Sequence, residues 1–585
     1  MNARHSSEST GLSIPIQHGQ KLIAPPMEQV AAWIRASRLE ATSSRHGHAD
    51  LPDLDFCGIG LESLRHAARR SVVELAVRYT SLYRTVSSSV AEARVKKPRI
   101  SVQGELSCAG SESSQLESVS DLAQRPIVMG GHQPDLFHCG VWFKNFLLSD
   151  IAKTTGAIAI HFLVDNDLCR STGIRAPVSV ATSGGTRMWR DRSVFYDSPR
   201  DPIPWENCYL KEPTLWNSFP DQVRKQMPVM RGEPLVDRLW EYSKSEAKIG
   251  APLGYLLSRS RHRLEADLGL MTLEVPLSQL VSTPEFARFS LHLLNELPRL
   301  HEIYNSELAQ YRKSHRIRNH AQPLPDLDRV DQWFETPWWY YPAGSPVRFP
   351  LWACRHGDDL ILTNRQDWKV TISKPAGCDA AMDQWLGVLS AGVCLRPRAL
   401  LTTMYARLIC SDLFVHGMGG ARYDQLTDRI IQRFFGIRPP PVVQATATLH
   451  LPLEDVAVEF LEPSDQKVAA LQQQLREFQS NPEAGLRLGA NAMSTGLQEE
   501  LQLLRMERES LLSNIPPKGE KWEWHTKMKR LNDKLSELAK PSVEKIQAEL
   551  NHLLSIQQQR STVLSREFSF CLFPLETIIE GLQGQ

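Results

Sequence analysis

PIVMGGHQPDLFHCGVWFKNFLLSDIAKTTGAIAIHFLVDND, Pro126–Asp167, is the segment on which the fold prediction rests. It predicts a strand at Ile127–Met129, a turn on two glycines, a helix over Val141–Lys153 and a second strand over Ala157–Val164. Polar side chains follow both predicted strands. Ligands bind at the carboxyl ends of strands in open parallel sheets, so we expect these side chains to line a site.

Several residues of this stretch are candidates for chemistry. Histidine titrates near neutral pH, so His132 and His138 are candidates for proton transfer or for holding a phosphate, with structural roles as the alternative. Asp165 and Asp167 are candidates for binding an amine, a ribose or a metal, with a helix-capping or loop role as the alternative. The expected ligand-binding residues of the stretch are Gly131, Gln133 and Lys144, where Lys144 would reach a phosphate or, as the alternative, be a solvated surface lysine.

A second dense stretch, Val393–Val443, repeats the pattern. It predicts a helix over Arg398–Cys410, a strand over Asp412–His416, a glycine-rich turn at Gly417–Gly420 and a helix over Ala421–Phe435. Glycines let backbone N–H groups approach an anion, and a helix N-terminus favours negative charge. We expect an anion or nucleotide contact here, with a simple tight turn as the alternative. The candidate binding residues are Arg396, His416, Gly419, Gly420, Arg422 and Tyr423.

The rest of the chain predicts insertions in this core and a helical hairpin beyond it. Phe286–Ser314 predicts one long amphipathic helix, and Phe334–Pro342 predicts a loop rich in proline and aromatic residues. Within that loop, Trp338–Tyr341 predicts a packed junction, with a stacking platform for a ring as the alternative. Towards the C-terminus, narrow leucine seams with charged flanks predict a coiled coil, which Ile515–Gly519 folds back and Pro541 interrupts again.

Composition narrows the class of protein. The chain has 585 residues, 42% hydrophobic and 23% charged, which is typical of a soluble protein of several domains. A net charge of +1 favours neither nucleic acid nor an anionic membrane as partner. There is no long apolar run, no secretory signal pattern and no C-x-x-C pair, so we expect a cytoplasmic protein with reduced thiols. Motifs of NAD enzymes, P-loop NTPases, serine hydrolases and zincins are missing from the sequence.

The order of these motifs resembles the bacillithiol biosynthesis cysteine-adding enzyme family (BshC). In the first stretch the likeness is carried by Gly131, Gln133, Leu136, Phe137 and Gly140. In the second stretch it is carried by Leu395-Arg396-Pro397, Gly419-Gly420 and Tyr423. The acidic block that the family has after its second strand is represented here only by Asp165 and Asp167.

The resemblance implies an α/β fold, with a Rossmann-like parallel-sheet core, inserted connecting segments and a C-terminal antiparallel coiled-coil hairpin. It implies a ligase that joins a cysteine-type carboxyl to the amine of a sugar derivative, a bond that requires activation of the carboxyl by a nucleotide. We expect ATP or ADP as that nucleotide and no metal. The domains expected on this basis are an N-terminal tail and helical region (1–125), the core (126–462), the hairpin (463–567) and a C-terminal segment packed back on the core (568–585).

Each candidate has a role in this hypothesis. His132, Gln133 and His138 hold or protonate the ligand, while Asp165 and Asp167 orient an amine or hydroxyl. The residues that neutralise phosphate or carboxylate are Arg396, Arg422 and Tyr423. One alternative is a nucleotidyl- or group-transferase acting on a sugar phosphate. The other is a non-catalytic scaffold, assembled as a homodimer through the coiled coil.

Overall fold

A computed structural model describes residues 12–43, 54–86, 122–181, 187–248, 250–373, 377–454, 456, 460–462, 464–481 and 495–583, so parts of the predicted N-terminal region lie outside the described residues. The strands are β1 (Lys21–Ala24), β2 (Ile127–His132), β3 (Ile158–Leu163), β4 (Leu168–Cys169), β5 (Gly173–Ala181), β6 (Arg187–Phe195), β7 (Ile203–Pro204), β8 (Thr272–Pro276), β9 (Arg329–Val330), β10 (Trp333–Pro342), β11 (Phe349–His356), β12 (Asp359–Thr363), β13 (Lys369–Ile372), β14 (Val393–Pro397), β15 (Leu413–His416) and β16 (Val442–Ala447). The helices are α1 (Met27–Ser43), α2 (Leu61–Ser81), α3 (Cys139–Thr155), α4 (Pro213–Gln226), α5 (Val236–Ala247), α6 (Leu253–Asp267), α7 (Leu277–Leu280), α8 (Pro284–Asn295), α9 (Leu297–Ser314), α10 (Cys378–Ser390), α11 (Ala399–Tyr405), α12 (Met418–Phe435), α13 (Asp465–Ser480), α14 (Thr495–Ser513), α15 (Trp522–Val563) and α16 (Leu575–Ile578).

The central sheet has six strands in the order β1-β16-β15-β2-β3-β8. All neighbours pair in parallel except β1, which lies antiparallel against β16 at the edge. Numbered along the chain, the five parallel strands β2, β3, β8, β15 and β16 stand in the spatial order 3-2-1-4-5. The order reverses between β2 and β15, so the connections that leave these two strands diverge and open a crevice at their carboxyl ends.

Side chains on both faces of this sheet are buried. Ile127 and Met129 of β2 pack into one core beneath α2, α8 and α12, whereas Val128 packs into the opposite core with Trp142 of α3. Strands covered on both faces read as continuous apolar runs, which is why β2 and β3 are predicted correctly from sequence. The turn expected at Gly130-Gly131 is wrong, because β2 continues through both glycines to His132.

A second sheet, antiparallel, joins β13-β12-β11-β10-β14, with β9 also paired to β10. The loop predicted at Phe334–Pro342 is wrong, since this segment forms β10, which pairs with β11 and β14. Aromatic residues favour strands, and Pro337 falls at the register shift between Glu335 and Trp339, where a missing N–H is tolerated.

Three helix predictions need correction. The single helix expected over Phe286–Ser314 is two helices, α8 and α9, because Pro298 occupies the start of a new helix. The glycine-rich turn expected before α12 is part of that helix, whose N-cap is Gly417. The break expected at Pro541 is also wrong, since α15 continues through it.

Helices α13, α14 and α15 form what we call the helical arm. Leu501 and Leu504 of α14 pack against Leu531 and Leu535 of α15. The loop between these two helices contains the break predicted at Ile515–Gly519. After α15 the chain returns to the core, where the C-terminal Phe570 is fully buried. Among the described helices, none combines the length and apolarity needed to cross a membrane.

Candidate functional site

A cavity of about 570 Å³ lies where the strand order of the central sheet reverses, at the ends of β2 and β15. The structure therefore brings together two stretches of sequence that are far apart in the chain. Ten of the thirteen predicted site residues line this cavity: Gly131, His132, Gln133, His138, Lys144, Asp167, His416, Gly419, Gly420 and Tyr423. The three that do not are Asp165, Arg396 and Arg422.

Asp165 and Arg396 lie beneath the cavity wall. The carboxylate of Asp165 accepts hydrogen bonds from Ser278 N at 2.9 Å and from Tyr255 Oη at 2.9 Å. Burial, together with the nearby Glu206 carboxylate, raises the pKa of Asp165 to about 6. Arg396 forms an ion pair with Glu206, with Nη2 and Oε2 2.9 Å apart. The side chains of both residues are therefore engaged with other protein groups and do not face the cavity.

Asp167 is the acidic residue of the pair that faces the cavity. Gln133 Nε2 donates to Asp167 Oδ2 at 2.8 Å, which ties the end of β2 to the end of β3. Arg348 Nη1 donates to the carbonyl of Asn166 at 2.8 Å and lies 3.5 Å from Asp167 Oδ1. The carboxylate is thus held from two sides at a fixed position.

His132 and His138, two of the histidines that line the cavity, both have pKa values below the usual range. His132 Nδ1 lies 3.3 Å from the carbonyl of Gln133, and because a carbonyl only accepts, the ring proton is on Nδ1. Burial, and then the charge of Lys144, lower the pKa of His132 well below its usual value. His138 Nδ1 accepts from Gly140 N at 3.1 Å and so caps α3, and burial lowers the pKa of His138 to about 4. Neither imidazole is a ready proton donor at pH 7.

Lys144 brings a buried positive charge to the cavity. Its side chain is only 3% exposed, and Nζ donates to the neutral carbonyl of Gly131 at 2.8 Å. Burial lowers the pKa of Lys144 to about 7, and the nearby Arg261 guanidinium contributes to this shift. An anion bound next to Nζ would favour the charged form.

The start of α12 adds backbone donors to the same cavity. Its N-cap, Gly417, makes no side-chain hydrogen bond to the first amides of the helix. A Cβ at Gly420 would lie 2.5 Å from His416 Nδ1, so glycine allows the imidazole to pack against the helix. His416 in turn lies 3.2 Å from the carboxylate of Asp424. The side chain of Arg422, by contrast, is exposed outside this cavity.

Two arginines outside the predicted set, Arg348 and Arg398, lie against Trp339 in the wall of the cavity. The guanidinium carbons of Arg398 and Arg348 lie 4.1 Å and 4.9 Å from the indole centroid. Arg398 Nη2 also donates to Glu335 Oε1 at 2.6 Å. Trp339 therefore stacks on guanidinium groups. The three residues come from separate segments of the chain, so their sequence positions do not indicate that they lie together.

The described residues contain no group of three or more His, Cys, Asp or Glu side chains placed to hold a metal ion. No protein-family model and no curated protein matches the sequence. Fold and site together define a mixed α/β protein, with a six-stranded, mostly parallel sheet and a polar cavity at its strand-order reversal. The resemblance to the BshC family stays a prediction.

Proposed function

We propose that the protein is an enzyme that binds a nucleotide or a phosphorylated sugar in this cavity, on a Rossmann-like core. The observation that carries the proposal is the position of Lys144 and of the uncapped start of α12 at the strand-order reversal. Backbone N–H groups at a helix N-terminus and a buried ammonium are both suited to phosphate. Parallel α/β sheets bind ligands at this topological position.

The reaction that fits best is that of a BshC-like ligase, which joins a cysteine-type carboxyl to an amine. The carboxylate would attack ATP and release ADP or diphosphate; the amine would then attack the acyl phosphate or acyl adenylate, expel phosphate or AMP, and lose its proton to solvent. Asp167 is the group suited to orient that amine, because Gln133 and Arg348 fix its carboxylate. The bare Nε2 of neutral His132 is suited to accept a hydrogen bond from the same substrate.

Calorimetry with ATP, ADP and glucosaminyl-malate tests this proposal. We expect binding of a nucleotide, and a loss of at least about tenfold in affinity for Lys144→Met, because a charge-assisted hydrogen bond contributes about 1.5–3 kcal/mol. Lys153→Met is the matched control, since Lys153 lies on the same helix but is exposed. If a folded sample binds none of the three compounds, the ligase is ruled out. Release of pyrophosphate from a nucleoside triphosphate and a sugar phosphate would instead identify a nucleotidyltransferase.

A second candidate function is a scaffold that assembles through the helical arm as a coiled coil. Leu503, Met506 and Trp522 favour it, because these large side chains are 68%, 62% and 79% exposed on the arm. The double variant Leu503→Glu with Met506→Glu is expected to dissociate such a homodimer in sedimentation experiments. A particle mass that is the same for variant and wild type would rule out this interface.

A further inference from the structure

Arg566 reaches the cavity from the segment that follows α15. Its Nη2 donates to Thr446 Oγ1 at 2.6 Å, at the end of β16. It also packs against Gly140 in the first turn of α3, where a Cβ would collide with the guanidinium. Arg566 is not among the residues predicted from the sequence, although Gly140 is one of those that carry the family resemblance. The glycine is needed for close packing here, because a Cβ would also lie 2.6 Å from the carbonyl oxygen of Ala447 and 2.7 Å from Thr446 Oγ1.

The position of this guanidinium is electrostatically unfavourable without an anion. It lies at the N-terminus of α3, the positive end of the helix dipole. The helix cap there is His138, which is neutral and adds no negative charge. Within the described residues, Arg566 Nε and Nη1 are buried and have no hydrogen-bond partner. Its nearest carboxylate, that of the half-exposed Glu567, is 3.7 Å from Nε.

We infer that Arg566 is a phosphate-binding residue of the cavity, and that ligand binding fastens the base of the helical arm to the central sheet. The inference rests on the proposed function, because it assigns a residue to the same ligand. A guanidinium presents two parallel N–H groups to two phosphate oxygens, and the unpartnered Nε and Nη1 supply the donors. Lys144 and Arg566 line the same cavity as His138, the N-cap of α3.

The backbone connects Arg566 to the arm and to the sheet. Phe570 N donates to the carbonyl of Phe137 at 3.0 Å, and Ser569 forms a bridge with His138. These contacts hold the segment after α15 against the loop that follows β2. A phosphate bound to Arg566 would add a further contact to this segment, so the amides around Phe570 should open less often.

Calorimetry of the full chain with ADP and with inorganic diphosphate tests the inference. We expect Arg566→Gln to lower the affinity for both probes by about 10- to 100-fold, because one charge-assisted pair is lost. Arg566→Lys should recover only part of it, since lysine lacks the fork. Arg530→Gln is the control, as Arg530 is an exposed arginine of α15. Equal affinity of Arg566→Gln and wild type, with equal melting temperatures, would overturn the inference.

Hydrogen exchange on the wild-type chain gives a readout that needs no variant. Saturating ADP should slow exchange over residues 566–573, and binding without such protection would also overturn the inference. Loss of binding in Lys144→Met but not in Arg566→Gln would leave the proposed function intact and remove only the role of Arg566. If the wild type binds neither probe, the proposed function and the inference fail together.

Discussion

Lys144 combines two properties that oppose each other, a charge useful for ligand binding and a position that disfavours charge. Its pKa of about 7 in the folded protein compares with 10.5 for an exposed lysine. Between these values the unfolded chain binds more protons than the folded one, so this residue makes stability rise with pH across that window. Below pH 7 both states carry the proton and the cost of burying the charge is fully present.

We therefore expect Lys144→Met to raise the free energy of unfolding at pH 7, by on the order of 2 kcal/mol, while it weakens ligand binding by at least about tenfold. The difference from wild type should shrink as the pH is raised towards 10. Urea unfolding at pH 7 and pH 9 measures both effects. The same pH dependence in variant and wild type would show that Lys144 does not titrate in this window.

We expect alanine substitutions at the two adjacent glycines of α12 to change the free energy of unfolding in opposite directions. Gly420→Ala should lower the free energy of unfolding by about 1–3 kcal/mol, because its Cβ would displace the buried His416 from Asp424. At Gly419 no described atom beyond the local helix backbone lies within 4 Å of the place a Cβ would take, so Gly419→Ala should raise stability by up to about 1 kcal/mol through helix propensity. Chemical denaturation of both variants measures the pair. A destabilising Gly419→Ala would contradict the helical assignment of these glycines.

Among the elements, α15 is the one whose continuity is least expected. Pro541 lies inside it, where proline has no N–H for the helix and costs about 3 kcal/mol relative to alanine. Leu535 and Ala539, both buried, hold the seam of the arm together just before this point. Pro541→Ala should consequently stabilise the arm and raise its melting temperature, and Ser542→Ala serves as the control. An unchanged or lower melting temperature would mean that the proline is needed for packing at this point of the arm.

The elements also show where sequence patterns are sufficient. β2, β3, α3 and α12 are predicted because apolar spacing and burial coincide in them. Sequence patterns do not predict β10, because a proline within an aromatic run is typical of a loop. Here the register shift against β11 accommodates that proline within a strand. Sequence patterns also miss the break between α8 and α9, because leucine spacing continues across it.

At the scale of the whole molecule, the site divides into a part that sequence predicts and a part that it does not. The residues at the ends of β2 and β15 are predictable, because strand ends of a parallel sheet meet at one edge. Arg348, Arg398 and Arg566 are not, because only the three-dimensional fold brings them to that edge. Asp165 illustrates the opposite error, since it follows a strand but hydrogen-bonds to Ser278 under the cavity wall.

Because α15 is long, a small rotation at its base produces a large displacement at its far end. Its 42 residues span about 60 Å at 1.5 Å per residue. A tilt of only about 5° at the Arg566 end would displace the far end by about 5 Å over that length. Fluorophores at Lys518, in the distal loop, and at Lys153, on α3, should then report ligand binding as a change in energy transfer. Phosphate binding at Arg566 would then be detected at the far end of α15.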